Sequence, residues 1–126
     1  MTDRPKRSWF AKFADAFLGM RLAFLGQSSF RVHFVAAGLV VLFGLLLNSF
    51  DIVRWCILIL CIGIVIGGET LNTSIEALAK AVTAEHNLHV KHSLDIASGA
   101  VLVLSVTAAV VGLILFGEAI MNYGRF

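Results

Sequence analysis

Three apolar stretches fill most of this 126-residue chain, and only short polar segments separate them. Each stretch has about the 20 residues that an α-helix needs to cross a bilayer. Backbone groups in hydrocarbon must be satisfied within the segment itself, so such stretches fold as helices. We therefore predict an all-α integral membrane protein whose three transmembrane helices cover 30–47, 52–82 and 93–120.

A different pattern precedes the first apolar stretch. Over residues 8–25, large apolar residues recur at steps of three and four, with charged residues between them. This spacing predicts an amphipathic helix that lies in the headgroup plane of a membrane. With the three spans it forms a single predicted domain over 1–126. The apolar face of this helix contains Trp9, Phe10, Phe13, Phe17, Met20 and Phe24.

Composition and charge distribution support membrane insertion. Charged residues make up 14% of the chain, whereas a soluble domain usually has about 25%. A cluster of cations before the first span keeps the N-terminus cytoplasmic, which leaves the C-terminus, with Tyr123 and Arg125, outside. Nucleic acid is a poorer interpretation of this cluster, because no soluble recognition module is present. The cations are Arg4, Lys6, Arg7, Lys12, Arg21 and Arg31.

Two acids and an amide lie in the second half of the predicted 52–82 helix, after its apolar part ends at Gly67. Glu69 and Glu76 are seven residues apart, which places them about 20° apart around a helix, with Asn72 on the same side. A carboxylate at the edge of hydrocarbon costs several kcal/mol unless it is paired, solvated or bound to a metal. We predict that this stripe is functional. The alternative is an ion pair at a helix end, with Lys80 one turn after Glu76.

The stripe suits phosphoryl transfer to an alcohol. That reaction needs a carboxylate to accept the hydroxyl proton, Mg²⁺ held by carboxylate oxygens, and donors around the phosphates. Glu69, nearer the apolar stretch, is predicted to activate a lipid hydroxyl, and Glu76, nearer water, to hold the metal. The glycines within 63–68 do not form a P-loop, because they lack the following Lys-Ser/Thr.

Two further groups of residues are of the types that can bind metals or carry out redox chemistry. Cys56 and Cys61 are five residues apart on one predicted helix and face different directions, so we expect two buried free thiols. His86, His89 and His92 recur at steps of three in the polar segment over 83–92. Without a nearby acid or thiol partner, zinc binding is less favoured than solvated histidines near phosphate or headgroups.

Three segments resemble the prokaryotic diacylglycerol kinase family, which includes the undecaprenol kinases. They are ETLNTSIEA over 69–77, DIASGAVLV over 95–103 and AFLGQSSFRVH over 23–33. The resemblance covers roughly residues 8–120 and retains the spacing between the motifs.

The resemblance implies a lipid kinase of the bacterial inner membrane that uses ATP and Mg²⁺ and serves phospholipid or lipid-carrier metabolism. The implied acceptor is diacylglycerol or undecaprenol, and the implied assembly is a homotrimer with active sites shared between chains. Position by position, Glu69 matches the catalytic base, and Glu76 and Gln27 match the metal ligands. The matched ATP-binding residues are Asn72, Glu85, His86, Asn87 and Asp95, and the matched lipid-binding residues are Ser98, Phe30 and Arg31.

The chain departs from the family pattern at three positions. Gln27 stands where the family usually has a second metal-binding glutamate, Lys80 where it has an acid, and Leu94 where it has a lysine. The cations available to replace the lysine missing at position 94 are Lys80, Lys91 or a loop histidine. The departures motivate a second hypothesis, a non-enzymatic relative that binds lipid or nucleotide. A channel is less favoured, because the polar stripe occupies one end of a span.

Overall fold

The computed structural model describes residues 5–123, and within these it contains four α-helices and no strand. They are α1 (Trp9–Gly26), α2 (Ser28–Leu47), α3 (Ile52–Val82) and α4 (Leu88–Tyr123). The predicted all-α architecture, with one helix before three long apolar ones, is confirmed. Arg4 of the predicted basic cluster and Arg125 of the predicted outer terminus lie outside the described residues.

The long helices α2, α3 and α4 are each long and apolar enough to cross a membrane. Few of their side chains are buried within the single chain. Leu39, Leu60 and Leu113, one on each helix, are between 61% and 75% exposed. Apolar surface of this extent is stable against lipid or other apolar chains and unstable against water. The fold is therefore that of a multi-pass membrane protein.

Helix α1 begins where the Ser8 side chain accepts a hydrogen bond from the Ala11 N–H at 3.2 Å. This contact is an N-terminal cap. Met20 faces α3, where its sulfur lies 3.7 Å from the Thr70 hydroxyl oxygen. The rest of the aromatic face is uncovered, as a helix lying in a membrane interface requires. Its exposed members are Trp9, Phe10, Phe13, Phe17 and Phe24.

Residues 48–51 connect α2 to α3. Asn48 adopts a left-handed conformation (φ 51°, ψ 21°) that ends α2. The Asp51 carboxylate accepts from the Arg54 N–H at 2.8 Å and caps α3. The Arg54 guanidinium also donates to Glu118 at 3.2 Å, so it joins the start of α3 to the far part of α4.

The most extensive helix contact in the described chain joins α3 to α4. Gly68 permits a close approach between them, since a Cβ at this position would lie 2.4 Å from Leu104 Cδ1. Gly68 directly precedes Glu69, so this approach occurs at the turn that carries the first acid of the stripe. Tight packing there limits how far α3 can rotate, and it thereby orients the stripe.

The fourth helix is longer at both ends than the predicted 93–120, because it runs from Leu88 to Tyr123. The Asn87 side chain caps it by accepting from the N–H groups of His89 at 3.0 Å and Val90 at 3.2 Å. The apolar pattern identifies only the part of a helix that can enter hydrocarbon. It therefore does not reveal a first turn made of polar residues. The predicted polar connection over 83–92 therefore shortens to 83–87.

Candidate active site

The predicted stripe on α3 faces the interior of the chain. Glu69 is 3% exposed and Asn72 is 7% exposed, while Glu76 is half-buried nearer the end of the helix. Buried carboxylates are costly unless hydrogen bonds or opposite charges compensate them. The neighbours of each acid therefore determine what chemistry it can support.

Both polar neighbours of Glu69 in the described chain come from α2. The Ser29 hydroxyl donates to Glu69 Oε1 at 2.5 Å. His33 Nε2 lies 3.8 Å from Glu69 Oε2, on the other side of the carboxylate. Ser29 and His33 are four residues apart, so they share one face of α2. One oxygen of Glu69 thus accepts an alcohol hydrogen bond, and the other faces an imidazole.

Glu76 has two amide partners. Gln27 Nε2 donates to Glu76 Oε2 at 2.9 Å, and Asn72 Nδ2 donates to Glu76 Oε1 at 3.0 Å. Gln27 is the extended residue (φ −123°, ψ 120°) between α1 and α2. The break between those helices therefore brings the two sequence-predicted metal ligands, Gln27 and Glu76, into direct contact.

The residues around Glu76 are of the types that ligate magnesium. Asn72 Oδ1 is buried and has no hydrogen-bond partner. A buried acceptor of this kind indicates an absent partner. If the amides of Gln27 and Asn72 turned their oxygens toward Glu76 in place of the NH2 groups that now face it, the three residues would provide one charged and two neutral oxygen ligands. Mg²⁺ is commonly held by one or two carboxylates, with water and phosphate in its other positions.

A cleft of about 570 Å³ opens beside Glu76, between the end of α3 and the start of α4. Three residues predicted to bind ATP line it together with two cations. Leu94, at the position where the resemblance implies a lysine, also lines this cleft. The polar lining residues are Glu76, Lys80, Thr83, Glu85, His86, Asn87 and Lys91.

Asp95 does not line this cleft. Its carboxylate accepts a hydrogen bond from Lys91 Nζ at 2.7 Å, on an exposed part of α4. Lys91 lines the cleft and also contacts Asp95. It therefore connects Asp95 to the predicted ATP-binding residues that line the cleft.

None of the three residues predicted to bind lipid lines the cleft beside Glu76. Ser98 on α4 and Arg31 on α2 have exposed side chains. Phe30 is 1% exposed, and its ring centroid lies 5.1 Å from that of Phe34. Phe30 therefore packs inside the chain.

Comparison with known proteins identifies the family of this chain. The family model for prokaryotic diacylglycerol kinase matches residues 14–116. The chain belongs to this family. The undecaprenol kinase of Bacillus subtilis (strain 168) is 33% identical to this kinase over 108 residues, which are 86% of this chain and 87% of the relative. Membership makes the chain a lipid kinase, and the matched range includes Gln27, the α3 stripe and Asp95.

The sequence pattern did not identify Ser29 and His33 of this kinase as neighbours of Glu69. The available signal was a serine and a histidine at helical spacing next to the first apolar stretch. Their contact with Glu69 depends on how α2 packs against α3, and helical spacing alone does not specify that packing.

The cysteines and loop histidines differ in their surroundings. Both cysteines are free, as predicted. Cys61 is buried, but the predicted burial of Cys56 is wrong for this chain, because Cys56 is exposed. His86 lines the cleft beside Glu76, whereas His89 and His92 line another groove between α3 and α4. Within residues 5–123, no group of three His, Cys, Asp or Glu side chains has the arrangement of a metal site.

Proposed function

We propose that this lipid kinase transfers the γ-phosphate of ATP to the hydroxyl of diacylglycerol or undecaprenol. The observation that carries the proposal is the environment of Glu69. This buried carboxylate, on a helix long enough to cross a membrane, already accepts a hydrogen bond from an alcohol oxygen at 2.5 Å. A lipid hydroxyl has the same chemistry as the Ser29 hydroxyl and can donate to the same carboxylate.

Glu69 acts as the general base in this proposal. As the lipid oxygen forms a bond to the γ-phosphorus, its proton passes to the Glu69 carboxylate. The bond between the γ-phosphorus and the β,γ-bridging oxygen breaks, and ADP leaves. The burial of Glu69 keeps bulk water from the base, which favours transfer to the lipid over hydrolysis, and the lipid hydroxyl must enter between the helices to reach the carboxylate.

Glu76 would hold Mg²⁺ through its carboxylate, with Gln27 and Asn72 contributing amide oxygens. The unpartnered Oδ1 of Asn72 supports this set. When bound, the ion would neutralise negative charge on the phosphates. To ligate through their oxygens, the amides of Gln27 and Asn72 must give up or reorient the bonds that they now donate to Glu76.

The nucleotide binds in the cleft between α3 and α4. Glu85, His86 and Asn87 supply polar contacts there, and Lys80 and Lys91 supply positive charge that replaces the lysine absent at Leu94. In this proposal the cleft faces the cytoplasm, where ATP is available. The cations that precede the first span favour the same side for the N-terminus.

The assembly in this proposal is a homotrimer with shared active sites. Asp95 and Ser98 are exposed on α4, outside the cleft beside Glu76. From that position they can contribute to the nucleotide and lipid sites of a neighbouring copy. Arg31 remains a proposed lipid contact because it is exposed, and the buried Phe30 is left out.

An activity screen tests the proposal. The purified kinase in detergent micelles receives radiolabelled ATP, Mg²⁺ and either diacylglycerol or undecaprenol, with Glu69→Gln as the matched control. Label in one or both lipids, lost in Glu69→Gln, supports the proposal. If the folded wild type transfers phosphate to neither lipid, nor to a wider set of lipid alcohols, the non-enzymatic hypothesis becomes the better one.

A further inference from the structure

We propose that Ser29 and His33 are positioning residues that hold the Glu69 carboxylate in one orientation. The inference rests on the proposed function, because it gives Glu69 the role of base. Neither residue needs to touch nucleotide or lipid in order to act. Both act through Glu69.

The burial of Glu69 makes its neighbours important. At 3% exposure its carboxylate has almost no access to water, so protein groups must supply its hydrogen bonds. Among the described residues, Ser29 provides the hydrogen bond and His33 the only basic side chain at ion-pair distance. No lysine or arginine of residues 5–123 forms an ion pair with Glu69.

The two contacts together orient the carboxylate. The terminal torsion of a glutamate is broad and roughly two-fold, so one hydrogen bond leaves the carboxylate plane free to rotate. Ser29 contacts Oε1 at 2.5 Å, and His33 approaches Oε2 at 3.8 Å. Contact at both oxygens restricts that rotation. A general base must be within hydrogen-bond reach of the proton that it accepts, so a fixed plane favours proton transfer.

Helix α2 maintains this arrangement through its spacing and packing. Ser29 and His33 are one turn apart on one face, and both reach α3. His33 also borders a largely apolar cavity of about 280 Å³ between the three long helices. The imidazole therefore lies between the carboxylate and the apolar interior. The α3 and α4 residues that line this cavity carry no titratable side chain: they are Ile62, Val65, Ile66, Ser105, Ala108 and Ala109.

Kinetics of matched variants test the inference. Ser29→Ala should lower kcat roughly ten- to a hundredfold, which corresponds to one lost hydrogen bond to a charged group, while the KM for ATP stays within about twofold. Ser29→Thr should recover most of the activity, because it keeps the hydroxyl. Ser28→Ala, the same change one residue earlier, should leave kcat unchanged. Ser28 is exposed and is not among the residues that contact Glu69 or Glu76.

A second pair of variants tests the contribution of the His33 imidazole. His33→Ala should lower kcat roughly fivefold, or about 1 kcal/mol, because the carboxylate loses the side chain that restricts it on the Oε2 side. Val35→Ala, at an exposed position two residues further along α2, is the control that keeps wild-type kcat. The inference is overturned if Ser29→Ala retains more than half of the wild-type kcat, or if only the KM for ATP changes.

A spectroscopic measurement reads the contact without any kinase activity. In protein labelled with ¹³C at the glutamate carboxyl and reconstituted in lipid, the signal missing from Glu69→Gln belongs to Glu69. Ser29→Ala should shift this signal, and Ser28→Ala should not. If the wild type transfers no phosphate, the proposed function fails, yet a shifted Glu69 signal still supports the positioning contact. An unshifted signal overturns it, whatever the activity.

Discussion

The side-chain amide of Gln27 donates a hydrogen bond to Glu76 Oε2 at 2.9 Å, across 49 positions of sequence. This contact links the break between α1 and α2 to the last acid of the α3 stripe. A neutral amide therefore lies directly beside the proposed magnesium carboxylate. The charge at position 27 should set how strongly the site binds a cation.

Gln27→Glu should increase magnesium affinity. The substitution places two carboxylates side by side, and they repel each other until a cation binds between them. We expect the Mg²⁺ concentration for half-maximal transfer to fall about tenfold, or about 1.4 kcal/mol. Initial rates over a Mg²⁺ titration measure this change. Gln27→Ala, which removes the amide oxygen, should raise the requirement, and an unchanged requirement in Gln27→Glu would argue against a metal at this position.

Glu69→Gln should abolish lipid phosphorylation, with a loss of at least about a hundredfold, because the amide cannot take the hydroxyl proton. The variant should stay folded, since glutamine has nearly the same volume and its oxygen can accept from Ser29. Radiolabel transfer and thermal unfolding measure the two effects. Glu118→Gln makes the same change at an exposed acid near the other end of the bundle and should keep full activity. Normal turnover by Glu69→Gln would disprove the base assignment.

Lys91→Gln should weaken nucleotide binding. Lys91 lines the cleft and contacts Asp95 at 2.7 Å, so its loss removes a cation that can meet phosphate and releases that acid. We expect the KM for ATP to rise roughly fivefold, as for a partly exposed charge interaction of about 1 kcal/mol. Lys6→Gln, before α1, makes the same change outside the cleft and should have a wild-type KM. Equal KM values in both variants would remove Lys91 from the proposed site.

Gly68→Ala should destabilise the contact between α3 and α4. The new methyl group would lie 2.4 Å from Leu104 Cδ1, so the leucine must move. Because that atom is the end of a flexible side chain, we expect a loss of only about 1 kcal/mol relative to Gly67→Ala, measured by thermal unfolding in one detergent.

Gly67→Ala is the matched control for this substitution, because nothing lies within 4 Å of a Cβ at that position. It should be neutral or slightly stabilising through the higher helix propensity of alanine. Adding Leu104→Ala to Gly68→Ala should relieve the steric part of the loss. If both glycine variants unfold at the same temperature, the close approach at Gly68 is not a packing constraint.

Several features were predictable because they depend on local pattern. The apolar stretches specified three long helices, since length and hydropathy decide what can cross hydrocarbon. Helical periodicity also placed Glu69, Asn72 and Glu76 on one face before any contact was known. The first turn of α4 was missed, because the Asn87 cap, and not apolar character, starts that helix.

Other features depend on how the helices pack. The neighbours of Glu69 come from α2, and Gln27 reaches Glu76 only because one extended residue separates α1 from α2. The burial of Phe30 and the separation of Asp95 from the cleft are further results of packing. Each reflects which helix faces lie against one another, and periodicity within a single helix does not contain that information.

By itself, the sequence determined that this chain is a helical membrane protein with acids lined up near the end of one long helix. Both follow from interactions within a segment, namely apolar length and the 3.6-residue repeat. Only the tertiary structure decided which side chains meet those acids: Ser29 and His33 at Glu69, Gln27 at Glu76. Those contacts join residues on different helices, so they exist only once the helices have packed in one particular rotation and register.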